Sequence, residues 1–331
     1  MSIPYLSICE QEQYLRDHHM IDAVPLSDEE KRWLESINFH YLMGYARNYR
    51  DLVKAGIITA PQTVSALKEL IEAEEKFIAF LTPWLRKVEW HLRALTVKNF
   101  CSAQEHGEGY LCTEKWIEHK PGDVEKLLQK IIESIRRHGE NYTTRYLDDQ
   151  AIRNNITIPQ SSTPDTHQTW LALLQDLPLW AVIDSFSIGT LGRFIMLCHE
   201  QPKSCGENMT PEIVWMLVSQ DLGITKKRFS VTINSFGVLR NMVFHHQRLW
   251  MRPMAISPGM PKDLEKKYRD GQYKNKNKQA QFVVLAVLSK ILPKHERQVY
   301  LEELDKALDQ HATFKLGIVS APFAEPKTGK E

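Results

Sequence analysis

The chain has 331 residues, 25% of them charged, and a formal net charge of +1. That is a globular composition, long enough for one large domain or two small ones. It gives no support for wholesale nucleic-acid binding, yet it leaves room for a local basic patch. The five cysteines (Cys9, Cys101, Cys112, Cys198 and Cys205) are odd in number and scattered, with no C-x-x-C. Neither a zinc site nor a disulfide framework is indicated, and a reducing cytoplasm fits best. The opening residues lack the basic and apolar regions of a signal peptide. No apolar run reaches the ~18 residues a membrane-spanning helix needs.

Most of the chain reads at helical period. "LSICEQEQYLRDHHM" predicts a first helix, with Ser7 as cap and Glu10 three residues on. "LSDEEKRWLESINFHYLMGYARNYRDLV" predicts a second, opened by Ser27 and a run of acids and broken at Gly44. Residues 60–100 read as a long helical stretch that Pro83 must kink or interrupt, because proline cannot donate the i→i−4 hydrogen bond. Residues 101–165 are less regular and hold one clear helix, "DVEKLLQKIIESIRRHG", ended by Gly139, with room for at most a short hairpin.

Three further helical segments begin at Pro178, Thr210 and Lys226. Trp180 is assigned to the core and Gly189 to a close helix approach. Residues 262–278, "KDLEKKYRDGQYKNKNK", carry seven Lys/Arg against three Asp/Glu. Such a stretch is usually a solvated loop and secondarily a phosphate-contacting surface, here through Lys274, Lys276 and Lys278. "QAQFVVLAVLSKIL" predicts a buried helix, and a closing helix comes after it. The expected class is all-α. The expected organisation is a helical extension over residues 1–60, then a helical core over 61–331 with an irregular insertion near 101–165.

The segment that draws chemistry is "GVLRNMVFHHQRLW", residues 237–250. Arginine followed by histidine after four to six residues marks one class of helical ribonucleases, but the spacing is cheap. With 17 Arg and 13 His in the chain, chance supplies roughly two such matches. Arg86–His91 and Arg193–His199 also fit, with Lys and Phe at the position after the arginine, and both are read as structural. A helical wheel is more informative. At about 100° per residue, Arg240, Asn241 and His245 share a polar face with Arg248, and His246 falls on the apolar face. His245 then sits about 7.5 Å along the axis from Arg240, within reach of its side chain. His246 is accordingly expected in the core, supporting the site from behind. Phe244 sits awkwardly on the polar face, which a protomer interface would explain.

That trio suits cleavage of an RNA phosphodiester. A histidine near neutrality takes the 2′-hydroxyl proton or protonates the leaving oxygen, and a guanidinium stabilises charge on the phosphoryl oxygens. No metal or other cofactor is needed. The alternative is a solvated polar face with no chemistry.

These segments, in this order, resemble the Abi-like (AbiD/AbiF) family of abortive infection proteins, part of the HEPN superfamily. The resemblance rests on "LSICEQEQYLRDHHM", "WLESINFHYLMGYARNYR", "LRKVEWHLRAL", "PLWAVIDSFSIGTLGRF", "DQHATFKLGIV" and above all "LRNMVFHHQRLW". Asp184 stands where the family commonly has Glu, and "YLMGYARNYR" departs from its usual Gly-Tyr-Tyr-Arg. The resemblance implies a HEPN helical bundle with added N- and C-terminal helices. It implies a metal-independent endoribonuclease of phage defence whose site is completed by homodimerisation. Arg240, Asn241 and His245 would be catalytic, and His246 would support the site, as would Glu89 and Arg93, whose i,i+4 spacing alone favours a structural ion pair. By its place on the polar face, Arg248 is either a residue that grips a phosphate or an ordinary exposed arginine. A small noncoding RNA is an implied antitoxin partner, and no membrane is implied. The alternative function is that of a helical module that binds RNA or protein without cutting.

Overall fold

The structure, a computed structural model, describes residues 5–101, 109–197, 214–274 and 276–321. Cys198, Cys205 and His199 lie outside the described residues. Among the described residues the regular structure is helical and no strand forms, so the fold is all-α.

The chain divides into two compact units. The first comprises residues 1–84, 239–286 and 298–331, and the second residues 85–238 and 287–297. The N-terminal helices therefore belong to the same unit as the C-terminal ones.

The first unit opens with α1 (Ile8–Asp17) and α2 (Asp28–Ser36). Both start on reciprocal capping boxes, Ser7 with Glu10 and Ser27 with Glu30. In each, the glutamate carboxylate takes the cap residue's N–H, so an orphan donor is satisfied before the first turn closes. α3 (Phe39–Lys54) is capped by the Asn38 side chain. The break between α2 and α3 thus falls at Ile37–Asn38 and not at Gly44, which lies inside α3. Gly44 is small for another reason: a Cβ there would lie 3.0 Å from Nη1 of Arg248.

α4 runs unbroken from Val64 to Cys101 with Pro83 inside it. The expected interruption does not occur, but the boundary between the units falls at Trp84–Leu85, one residue past the proline. The first unit is completed by the last residues of α11 (Lys226–Phe244), then α12 (Lys262–Lys267), most of α13 (Gln281–Leu288), α14 (Arg297–Asp309) from its second residue and α15 (Ala312–Ser320). α13 is buried along its whole length, as its unbroken apolar run requires. Tyr300 is buried too and donates its hydroxyl to the Leu285 carbonyl.

The second unit contains α5 (Asp123–His138), α6 (Asn141–Arg153), α7 (His167–Leu174), α8 (Leu179–Val182), α9 (Ile188–Leu197) and α10 (Val214–Leu222). It also holds the rest of α4 and α11. α5 buries Leu127, Leu128, Ile131, Ile132 and Ile135 in one stripe, with acids in its first turn and Arg136, Arg137 and His138 in its last. It packs on α9, which packs on α10. α6 is not legible in the sequence, because its threonines and charges blur the apolar period. Two other expectations are corrected. Trp180 is 58% exposed. A Cβ on Gly189 would meet only the Ser187 Oγ, at an ordinary 3.9 Å, and the close approach belongs to Gly192, where a Cβ would lie 3.3 Å from Cγ2 of Ile233.

Candidate functional site

α11 ends at Phe244 in a Schellman turn. The Gln247 N–H reaches back to the Met242 carbonyl (2.9 Å) and the His246 N–H to the Val243 carbonyl (3.2 Å). His246 closes the turn at φ 53°, in the left-handed region where glycine is the usual occupant.

This ending corrects the helical wheel. The wheel holds for Arg240 and Asn241, which are half-buried and exposed respectively. It fails beyond Phe244, because the chain no longer advances at 100° per residue. His245 is exposed, as a polar face requires, but His246 is exposed too and is not in the core. The two histidines are neighbours on one outward turn.

Within the turn, the Arg240 guanidinium lies 3.5 Å from Oδ1 of Asn241 and 4.5 Å above the Phe244 ring. The ring is 41% exposed, so Phe244 serves as a shelf for the guanidinium at the surface. The His245 N–H donates to the Asn241 carbonyl at 2.9 Å, which ties the histidine to the last helical turn.

The chain beyond the turn is held much more firmly. Glu74, on α4, is 1% exposed, and its two carboxylate oxygens accept the N–H groups of Leu249 and Trp250, each at 2.8 Å. The Tyr45 hydroxyl lies close enough to Glu74 to act on its carboxyl, and it shares a 2.9 Å hydrogen bond with the Tyr41 hydroxyl. Burial raises the Glu74 carboxyl from its usual range, and the two backbone donors, the neighbouring Tyr45 hydroxyl and the Arg248 charge pull against that. Burial likewise pushes Tyr41 up to about 12, keeping its proton on the ring oxygen.

On the other side, the Gln281 amide donates to the carbonyls of Leu249 (2.8 Å) and Arg252 (3.1 Å). The fully buried Trp250 indole donates to the Thr313 carbonyl at 2.9 Å and stacks on Tyr45, with ring centroids 5.8 Å apart and planes 3° from parallel. Gly317 makes this possible, since a Cβ there would lie 2.2 Å from the indole nitrogen. Backbone donors, backbone acceptors and the indole are therefore all anchored in the first unit, and the exposed histidine turn is mounted on that anchor.

Arg248 belongs to the anchor, not to the open face. Its guanidinium sits over the Tyr45 ring at 5.6 Å in the space Gly44 leaves, and its buried Nη1 has no hydrogen-bond partner. Burial lowers its pKa, while Tyr45 and Glu74 oppose the shift. A phosphate-gripping role for Arg248 gives way to a packing role. Lys276 is corrected in the same way. Its ammonium is mostly buried, donates to the Tyr268 carbonyl at 2.9 Å and pairs with Glu265 at 3.1 Å. Lys274 and Lys278 remain exposed.

Glu89 and Arg93 lie in the second unit and form an i,i+4 ion pair at 2.8 Å. Arg93 also donates to the Phe186 carbonyl at 2.8 Å, which pins the turn between α8 and α9. Their contacts are those of a structural clamp. Among the described residues, no three His, Cys, Asp or Glu side chains gather as a metal would require.

The anchor residues Glu74, Gln281 and Tyr45 escape sequence reasoning. Glu74 does leave a trace. It is a carboxylate on the stripe that α4 builds from Leu67, Leu70, Ile71, Phe77 and Leu81, all buried. A charge on such a stripe is costly unless partnered, so its presence there signals a buried partner.

The sequence profile of the Abi-like protein family matches residues 32–251, from within α2 to one residue past Trp250. No curated protein and no solved structure matches the chain.

Proposed function

The chain belongs to the Abi-like family, which is associated with abortive infection and so with phage defence, and from that premise we propose that it is a metal-independent endoribonuclease of the HEPN type. The observation that carries this reading is the turn at the end of α11. Arg240, Asn241 and His245 are presented together at the surface, on a backbone held by Glu74 and Gln281.

The reaction is attack of a ribose 2′-oxygen on the adjacent phosphorus, with loss of the 5′-oxygen of the next nucleotide. It leaves a 2′,3′-cyclic phosphate and a 5′-hydroxyl. His245 accepts the proton of the 2′-hydroxyl or gives one to the departing oxygen. Arg240 neutralises the charge that builds on the non-bridging oxygens, and Asn241 fixes the guanidinium from its neighbouring position. The cycle needs a base and an acid at once. A second copy of the turn, brought by a homodimer, supplies the other. His246, exposed beside His245, is the second candidate for that partner role within one chain.

The test is cleavage of single-stranded RNA by the purified protein in EDTA. Arg240→Ala and His245→Ala are expected to lose about 10²- to 10⁴-fold in rate with unchanged melting temperature. Equal cleavage by wild type and both folded variants overturns the proposal. Full activity from a protein that stays monomeric under assay conditions overturns the composite site and leaves the His245–His246 pair.

A further inference from the structure

The second unit contains a surface groove of about 530 Å³ between the start of α5, α9 and α11. We propose that it binds the phosphate backbone of single-stranded RNA. The proposal rests on the ribonuclease reading, and it assigns RNA binding to a place the Arg240–His245 motif does not include.

The groove is built by identifiable contacts. Gly192 on α9 lets Ile233 of α11 approach, which sets the floor. The segment before α5 is tied over one edge. The Ile117 N–H donates to the Leu197 carbonyl at 2.7 Å, and His119 Nε2 donates to the Met196 carbonyl at 3.3 Å. These bonds hold His119 and Lys120 at the edge of the groove. Arg193 projects from α9, and Ser230 and Asn234, one turn apart on α11, offer neutral hydrogen-bonding groups.

The charge of the lining is net positive. Lys120 and Arg193 are exposed, and among the described residues neither makes an ion pair. Asp123 is the carboxylate in the lining. One turn before Ser230, the first turn of α11 carries Lys226, Lys227 and Arg228 and no acid. A helix N-terminus already holds partial positive charge, so three cations there repel it and one another. That arrangement is unfavourable for the free protein, and an anion along the same side of α11 relieves it. Two cations in a concave site, neutral donors between them and a basic helix start beside them match successive phosphates of a flexible strand.

The experiment uses the full chain and a short fluorescent single-stranded RNA with 2′-O-methyl riboses, which binds and is not cut. Wild type is compared with the Lys120→Ala/Arg193→Ala double variant across a salt series. The expected result is about a tenfold loss of affinity and a slope of log K against log salt that is shallower by about 0.7 for each cation removed. On cleavable RNA, the same variant raises KM and leaves kcat unchanged. Both side chains are exposed, so folding is not at risk. Asn234→Asp, which adds a carboxylate to the groove, gives an independent loss of affinity. Unchanged affinity and slope in the variants, with wild type still cutting RNA, overturn the groove alone. A wild-type chain that binds no RNA overturns the groove together with the ribonuclease reading.

Discussion

Replacing Glu74 by leucine keeps the volume of the side chain and removes both carboxylate oxygens. Two backbone N–H groups, of Leu249 and Trp250, lose their 2.8 Å acceptors. Both residues are fully buried, so water does not replace the bonds. A buried donor left unpaired costs about 1–3 kcal/mol, which puts the variant at a loss of about 2–6 kcal/mol. Arg248 is affected as well, because its buried guanidinium loses a nearby negative charge. A unit of this size shifts its Tm by about 2–4 °C per kcal/mol. The first unit of Glu74→Leu is therefore expected to melt about 10 °C below wild type, as read by the fluorescence of the buried Trp250. Glu74→Gln keeps one acceptor and falls between the two. The reasoning is refuted if Glu74→Leu melts within about 2 °C of wild type, or if Gln is as damaging as Leu.

Gly317→Ala drives a methyl group to 2.2 Å from the Trp250 nitrogen, and overpacking of this kind costs about 1–3 kcal/mol in urea unfolding; a neutral result would show that α15 yields to the indole. His246→Gly removes a side chain from a left-handed residue at φ 53° and is expected to raise stability by about 1 kcal/mol. The cleavage rate of that variant also reports directly whether the His246 ring takes part in proton transfer. His311 caps α15 by accepting the Phe314 N–H on Nδ1 at 3.1 Å, which a protonated ring cannot do. Burial holds its pKa below the ordinary 6.5, so the unfolded chain binds the proton more readily. The cap is intact above that value, and its contribution is lost as pH falls through 6.5 toward the depressed folded value. His311→Asn keeps an acceptor that does not titrate. Its Tm is expected to match wild type at pH 8 and exceed it at pH 5.5, and parallel profiles would count against the cap.

Helices with strong local signals are legible in the sequence. Ser27 and Glu30 announce α2, and the apolar stripe and Gly139 bound α5. Signals whose meaning depends on a distant partner are not. Gly44 reads as a breaker because nothing local shows that Arg248 occupies its missing side chain. Arg248 reads as a free cation because Tyr45 and Glu74 are far away in the chain. The motif divides in the same manner. Arg240 and Asn241 follow from helical period, and His246 does not, because a histidine occupies the left-handed position that a glycine would have marked. The groove at Lys120 and Arg193 joins residues more than seventy positions apart, and no periodicity connects them.

The anchoring of Trp250 has a consequence for the order in which a newly made chain matures. Its indole partners, Thr313 and Gly317, lie in the final helix described, and Gln281 precedes them by only about thirty residues. The histidine turn is thus synthesised after Glu74 and Tyr45 but before Gln281 and α15, the supports on its other side. A nascent or prematurely terminated chain that lacks α15 carries Arg240 and His245 but lacks the carbonyl of Thr313 and the Gly317 gap that complete the seat of Trp250. A protein whose proposed chemistry is harmful to its own cell would, by this arrangement, arm itself only once α15 has been made and has folded against Trp250.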